Sequence, residues 1–88
     1  MTKHICQVSE KSELLKLIGK RIKEVRLSKG VTQLELVIRM EDSSGRIDET
    51  NISRIESGRT NPTVFTLFRI AEALEISAKD LIDIQVTS

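Results

Sequence analysis

The stretch VTQLELVIRMEDSSGRIDETNISRIESGRTN, Val31 to Asn61, decides the reading of this chain. It divides into two short helical segments joined by a polar loop. Thr32-Gln-Leu-Glu35 is a capping box: the threonine oxygen can accept from the Glu35 N–H while the Glu35 carboxylate reaches back to the Thr32 N–H. Gly30, just before it, suits the left-handed residue that closes a preceding helix. Leu36, Val37 and Met40 make an inner face, so this helix is expected at about 33–41. The loop Glu41 to Ile47, EDSSGRI, is polar and carries a glycine for the reversal. Asp48 is a good N-cap for the next helix, about 48–57, which Gly58 ends. Ile52 and Ile55 give it a narrow apolar stripe, while Glu49, Thr50, Asn51, Ser53 and Arg54 face outward. A dense polar face on a pinned short helix suits a helix that reads another surface; a solvated surface helix shows the same pattern.

Working outward, Leu15, Ile18, Ile22 and Val25 recur at helical spacing, with Leu27 off that stripe. They predict a helix over about 12–29, with Ser12 as its N-cap and Lys16, Lys20, Lys23 and Arg26 on its outer faces. Residues 1–11 show no periodicity and read as a flexible arm. After the central stretch, Ser57-Gly-Arg-Thr-Asn-Pro62 is a turn, because proline disfavours helix in the residue before it. Thr63 caps a fourth helix, about 64–75, whose core stripe is Leu67, Ile70, Ala71 and Leu74. Ser77-Ala-Lys-Asp80 opens a fifth, about 78–83, anchored by Leu81 and Ile82. Residues 84–88 read as a tail. The organisation expected is an arm over 1–11, one domain over 12–83 and the tail.

The 88 residues suffice for one small domain, and 39% hydrophobic content suffices for its core. The aromatics are Phe65 and Phe68 alone, so that core must be aliphatic and the fold class all-α. No apolar run is long enough to span a membrane, and no signal-peptide pattern opens the chain. A single cysteine, Cys6, fits a reducing cytoplasm and reads as incidental. With one histidine and one cysteine, neither a zinc site nor any other cofactor is expected. Net charge is only +1, but residues 1–30 carry eight bases and three acids, whereas 31–60 carry four and six, and 61–88 two and four. The basic footprint lies on the first helix and its lead-in, as in a nucleic-acid binder or a solvated basic helix. Paired carboxylates in a pocket, a nucleophile with its base and a phosphate-binding glycine loop are all missing, so catalysis is not expected.

Five short helices with this punctuation resemble the Xre/Cro-type helix-turn-helix family of bacterial and phage regulators. The resemblance runs from about Ile18 to Ile82. It is carried by Ile18-Gly-Lys-Arg-Ile-Lys-Glu-Val-Arg26, Val31-Thr-Gln33, Asn51-Ile-Ser-Arg-Ile-Glu-Ser-Gly-Arg59, Asn61-Pro62-Thr63, Leu67-Phe-Arg-Ile-Ala-Glu-Ala-Leu74, Ile76-Ser77 and Lys79-Asp-Leu81. It implies a five-helix repressor-like domain binding double-stranded DNA. Gln33 matches a position that grips a phosphate and braces the reader helix, beside the helix N-terminus that attracts anions; Thr32 sits at the same end. Glu49, Thr50, Asn51 and Arg54 match positions facing base edges. Asn51 can pair bidentately with adenine and Arg54 with guanine, and Glu49 can accept from cytosine N4. Thr50 can touch a thymine methyl. Arg54 could instead pair with Glu56 or Glu49, and Glu49 could merely stabilise its helix N-terminus. Arg59, Thr60 and Asn61 match a phosphate-clamping loop; Lys20 and Arg21 are further phosphate candidates, as is Arg46 in the loop. The family resemblance also implies a homodimer, whose surface would be drawn from Phe65, Phe68, Ile84 and Val86.

Three departures from the family stand out. The segment between the second and third helices is longer by about five residues than the usual tight turn. Val37 stands where alanine is usual, and Leu34 and Ile38 are apolar where the family is polar. The longer loop is expected to fold over the second helix, with Leu34 and Ile38 packing under Ile47 or forming part of a partner surface. The reading is a sequence-specific transcriptional regulator, a repressor on a palindromic site. Its rival is an antitoxin or protein-interaction module on the same fold, with the Leu34/Ile38 pair as the feature favouring it.

Overall fold

The structure, a computed structural model, describes residues 11–40 and 47–84. Five helices follow in order: α1 (Lys11–Ser28), α2 (Gln33–Met40), α3 (Glu49–Glu56), α4 (Val64–Ala73) and α5 (Ala78–Leu81). There is no strand among the described residues. Most of the expected arm, most of the expected tail (Val86 included), Cys6 and loop residues 41–46 (Arg46 included) lie outside them.

Local chemistry sets the helix starts. The capping box at α2 is complete: the Glu35 N–H donates to Thr32 Oγ1 at 3.0 Å, and the Thr32 N–H donates to Glu35 Oε1 at 2.9 Å. Asp48 Oδ1 accepts from the Asn51 N–H at 2.9 Å and Thr63 Oγ1 from the Thr66 N–H at 3.1 Å, each satisfying a donor the helix itself cannot. Ser77 caps α5 in the same way. Ser12 does not cap α1, since it lies inside the helix, which already includes Lys11.

Three helix ends close with the same six-to-one and five-to-two pair of backbone bonds. Val31 N–H reaches Arg26 O and Gly30 N–H reaches Leu27 O; Arg59 reaches Arg54 and Gly58 reaches Ile55; Ile76 reaches Ala71 and Glu75 reaches Glu72. The motif needs one left-handed residue. Gly30 (φ 70°) and Gly58 (φ 79°) supply it without strain, but at the end of α4 it is Glu75, with φ 61°. This is why α4 stops at Ala73, short of the expected 75. A side chain in the left-handed region costs about 1–2 kcal/mol, partly offset by the entropy glycine adds to the unfolded chain. Glu75→Gly is therefore expected to stabilise the domain by about 0.5–1 kcal/mol, seen as a Tm rise of a few degrees; a fall in Tm would mean that the Glu75 side chain contributes more than its backbone costs.

Each of the first three helices and α5 places a residue at zero exposure: Ile22, Leu36, Ile52 and Leu81. Ile70 and Leu74, the latter the C-cap of α4, complete the set. Burying each such side chain contributes about 1.5–3 kcal/mol. The core is aliphatic throughout, because Phe65 and Phe68 both point outward. Helix α3 packs on α1 and α2, α2 also meets α4, and α5 bridges α4 and α1. Two arginines tie α2 to α4 through helix-end carbonyls: Arg69 Nη2 to Met40 O at 3.0 Å and Arg39 Nη1 to Ala73 O at 3.3 Å.

Packing overturns several sequence expectations. Arg26 is not on an outer face; it is buried. Ile82 is not an anchor; α5 ends at Leu81, and Ile82, its C-cap, is exposed. Leu34 and Ile38 are not buried under Ile47, and the longer loop expected to fold over α2 lies mostly outside the described residues. The two side chains remain 51% and 59% exposed, while Ile47 packs against the core. Their positions lie on the flank of α2 away from the buried Leu36 and Met40, where the small core offers them nothing. Val37 is accommodated, partly buried against the core cluster.

Candidate nucleic-acid interface

The centre of the site is α3, whose buried side is made of Ile52, Ile55 and Glu56. A charge at a core position needs a partner, and the partner is Arg26 of α1. Arg26 Nε donates to Glu56 Oε2 at 2.6 Å and Nη2 to Oε1 at 3.0 Å, a two-pronged pair with both side chains out of water. The third prong of the fork, Nη1, donates to Val31 O at 2.7 Å. Gln33, the first residue of α2, adds its Nε2, which donates to the same Glu56 Oε1 at 3.1 Å. One carboxylate thus binds three helices together, and arginine's planar fork suits that geometry.

The two helices also meet backbone to backbone. A Cβ on Gly19 of α1 would stand 2.3 Å from Ile55 O and 2.6 Å from Glu56 O. In return, a Cβ on Gly58 would stand 2.8 Å from Lys16 Cγ and 2.9 Å from its Cα. The end of α3 is seated in a notch that two glycines make.

With its inner side held this way, α3 turns its other side to solvent. Glu49, Thr50, Ser53 and Arg54 are exposed and Asn51 is half-buried. Arg54 forms no ion pair among the described residues; Glu56, one of its suggested partners, is taken by Arg26. The backbone N–H of Asn51 is spent on the Asp48 cap, and its side-chain amide has no hydrogen bond among the described residues. Thr32 and Gln33 stand at the start of α2, and Arg59, Thr60 and Asn61 follow α3 directly, Arg59 and Asn61 exposed. The Gln33–Glu56 bond ties the start of α2 to α3.

Other predicted positions fall elsewhere. Arg21 donates from Nε and Nη2 to Asp80 O at 3.0 and 2.9 Å, so its guanidinium ties α1 to α5. Lys20 lines, with Leu17, Arg21, Glu24, Asp83 and Ile84, an open groove of about 200 Å³ between α1 and the end of the described chain. Phe65 and Phe68 lie on the outer face of α4, 64% and 59% exposed, beside exposed Val64.

Sequence reasoning missed Glu56, Gly19 and the burial of Arg26. A signal was present: Arg26 follows Ile22, and Glu56 follows Ile52, by one helical turn. Two opposite charges on the apolar stripes of adjacent helices in a small core must meet.

No His/Cys/Asp/Glu cluster suited to a metal occurs among the described residues, and none of their helices is long and apolar enough to cross a membrane.

Comparisons with known proteins agree with this architecture. A helix-turn-helix family model matches residues 22–81. The uncharacterized HTH-type transcriptional regulator y4dJ of Sinorhizobium fredii is 39% identical over 70 residues, which are 80% of this chain and 84% of that protein. Among solved structures, the restriction-modification controller protein C.AhdI from Aeromonas hydrophila superposes with a TM-score of 0.68 at 28% identity, covering 78% of this chain and 96% of that one. The clp gene regulator ClgR from C. glutamicum gives 0.70 at 28% identity, covering 78% and 82%. By name, two of these relatives are regulators and the third is a controller protein.

Proposed function

The chain belongs to the Xre-type helix-turn-helix family of DNA-binding transcriptional regulators, and from that premise we propose that it is a sequence-specific repressor that binds a palindromic operator as a homodimer. The observation that carries this reading is the pairing of a rigid seat with a free face. Helix α3 is clamped by Arg26, Glu56 and Gln33, while the outward side chains of Glu49, Thr50, Asn51 and Arg54 keep their hydrogen-bonding capacity. In the major groove Asn51 reads adenine, Arg54 guanine and Glu49 the cytosine amino group, with Thr50 against a thymine methyl. Thr32, Gln33, Arg59, Thr60 and Asn61 hold the flanking phosphates, which supply affinity and register but no sequence choice.

Two copies place two reader helices about 34–36 Å apart, one turn of DNA. The outer face of α4, with Phe65 and Phe68, is the surface the second copy covers; large exposed aromatics at that density are otherwise a solubility liability. Repression follows from occlusion of the polymerase site.

Selection from random-sequence DNA, repeated at two salt concentrations, tests the reading. A palindrome with a steep salt slope is the expected result. Asn51→Ala and Arg54→Ala should each lose about 1–3 kcal/mol of discrimination at one operator position, measured against single-base operator variants. Uniform loss on all sequences from either variant would remove α3 from the reading role. The exposed Leu34/Ile38 pair favours a second reading, a protein-interaction module; no enrichment in the selection would turn attention there.

A further inference from the structure

The family model begins to match at residue 22, yet α1 begins at Lys11. The lead-in is not idle. Its Gly19 leaves room for the Ile55 and Glu56 carbonyls, and its Lys16 lies against Gly58, the left-handed residue that ends α3. Two close backbone approaches fix where Lys16 stands. Its Cα and Cγ lie against Gly58, the residue before Arg59, so an extended lysine stem can carry the ammonium to the Arg59–Asn61 turn. Lys16 is exposed and has no acidic partner among the described residues. The lead-in 11–21 carries Lys11, Lys16, Lys20 and Arg21 against Glu13 alone, and Arg21 is spent on Asp80.

We propose that Lys16 is a DNA-backbone ligand, extending the phosphate clamp of Arg59–Asn61 by one cation supplied from α1. The proposal rests on the DNA-binding reading above. A strongly hydrated ammonium on a flexible stem suits a phosphate as a point charge without fixed geometry, and it adds affinity without sequence choice. The competing role is local: Lys16 stands near the C-terminal carbonyls of α3, where a cation offsets the partial negative charge of the helix end. The two roles separate experimentally, because one acts only when DNA is present.

The test measures affinity for the selected operator, and for an unrelated duplex, against salt concentration for the full chain, Lys16→Ala, Lys16→Arg and Lys79→Ala. Lys79 serves as the control, an exposed lysine on α5, which packs on α4 and α1. Losing one phosphate contact lowers the salt slope by about 0.9 per protomer, so Lys16→Ala should fall behind by about eightfold per protomer between 1 M and 0.1 M salt, on both duplexes alike. Lys16→Arg should restore the slope, Lys79→Ala should keep it, and the Tm of Lys16→Ala should stay at that of the parent. If the parent binds DNA but Lys16→Ala keeps the parental slope, the proposal is overturned, and a lowered Tm in the same variant would identify Lys16 as a helix-end partner. If the parent binds no DNA at all, the DNA-binding reading falls first, and this one with it.

Discussion

Arg26→Ala is expected to cost about 3–5 kcal/mol of folding stability, the penalty for leaving one partner of a buried ion pair behind. The Glu56 carboxylate would keep only the Gln33 amide, and Val31 O would lose its donor. A domain of this size has a total stability on the order of 5–15 kcal/mol, so the variant should sit near the edge of unfolding, with Tm lowered by at least about 12 °C. Replacing both partners with apolar residues of similar volume, as in Arg26→Met with Glu56→Leu, should recover much of that loss, since no charge is then left in the core. The double variant should still bind operator poorly, because Gln33 loses its hydrogen bond to α3. Chemical denaturation and operator titration on the same samples separate the two effects. If the single variant melts like the parent, the pair is not the clamp described here. If the double variant binds like the parent, Gln33 does not depend on Glu56 for its orientation.

Gly19→Ala should also be damaging, although alanine is the better helix former. Removing glycine from a helix interior returns about 0.8–1 kcal/mol. Against this stands a Cβ placed 2.3 Å from Ile55 O and 2.6 Å from Glu56 O. Both obstacles are backbone, so no rotamer change relieves the overlap; α1 and α3 must move apart. Overpacking of this kind costs about 1–3 kcal/mol, occasionally more, and Gly19→Val, with two further methyl groups, should reach the upper end or beyond. The effect on DNA should exceed that on stability, because the part displaced is the end of the reader helix and the Glu56 clamp with it. The expected signature is a lowered Tm with a larger loss on operator than on unrelated duplex. A Gly19→Ala variant more stable than the parent would show that the two helices do not approach as closely as described.

Much of this domain was legible in the residues themselves. Caps are the clearest case: Thr32 with Glu35, Asp48, Thr63 and Ser77 start their helices where expected, because a capping bond joins residues three apart and asks nothing of the rest of the chain. Gly30 and Gly58 mark helix ends for the same local reason. The apolar stripes of α1, α3 and α4 followed from helical periodicity, and with them the all-α class. Glu75 shows the limit of that logic, since glutamate carries no sign that it will take a left-handed conformation.

What only the tertiary structure decided concerns residues whose environment comes from far along the chain. Arg26 has the sequence of a surface cation, and Glu56 that of a surface acid; the contact that buries them spans thirty positions. Gly19 looks like a weak point in a helix until the end of α3 is laid across it. Leu34, Ile38 and Ile82 look like core until the core is seen to be full without them. Short-range hydrogen bonding and side-chain period determine which segments are helices and which sides they bury. Which charge meets which, and how closely two helices cross, depends on the joint packing of all five, because burial is a property of the assembled volume rather than of any one segment.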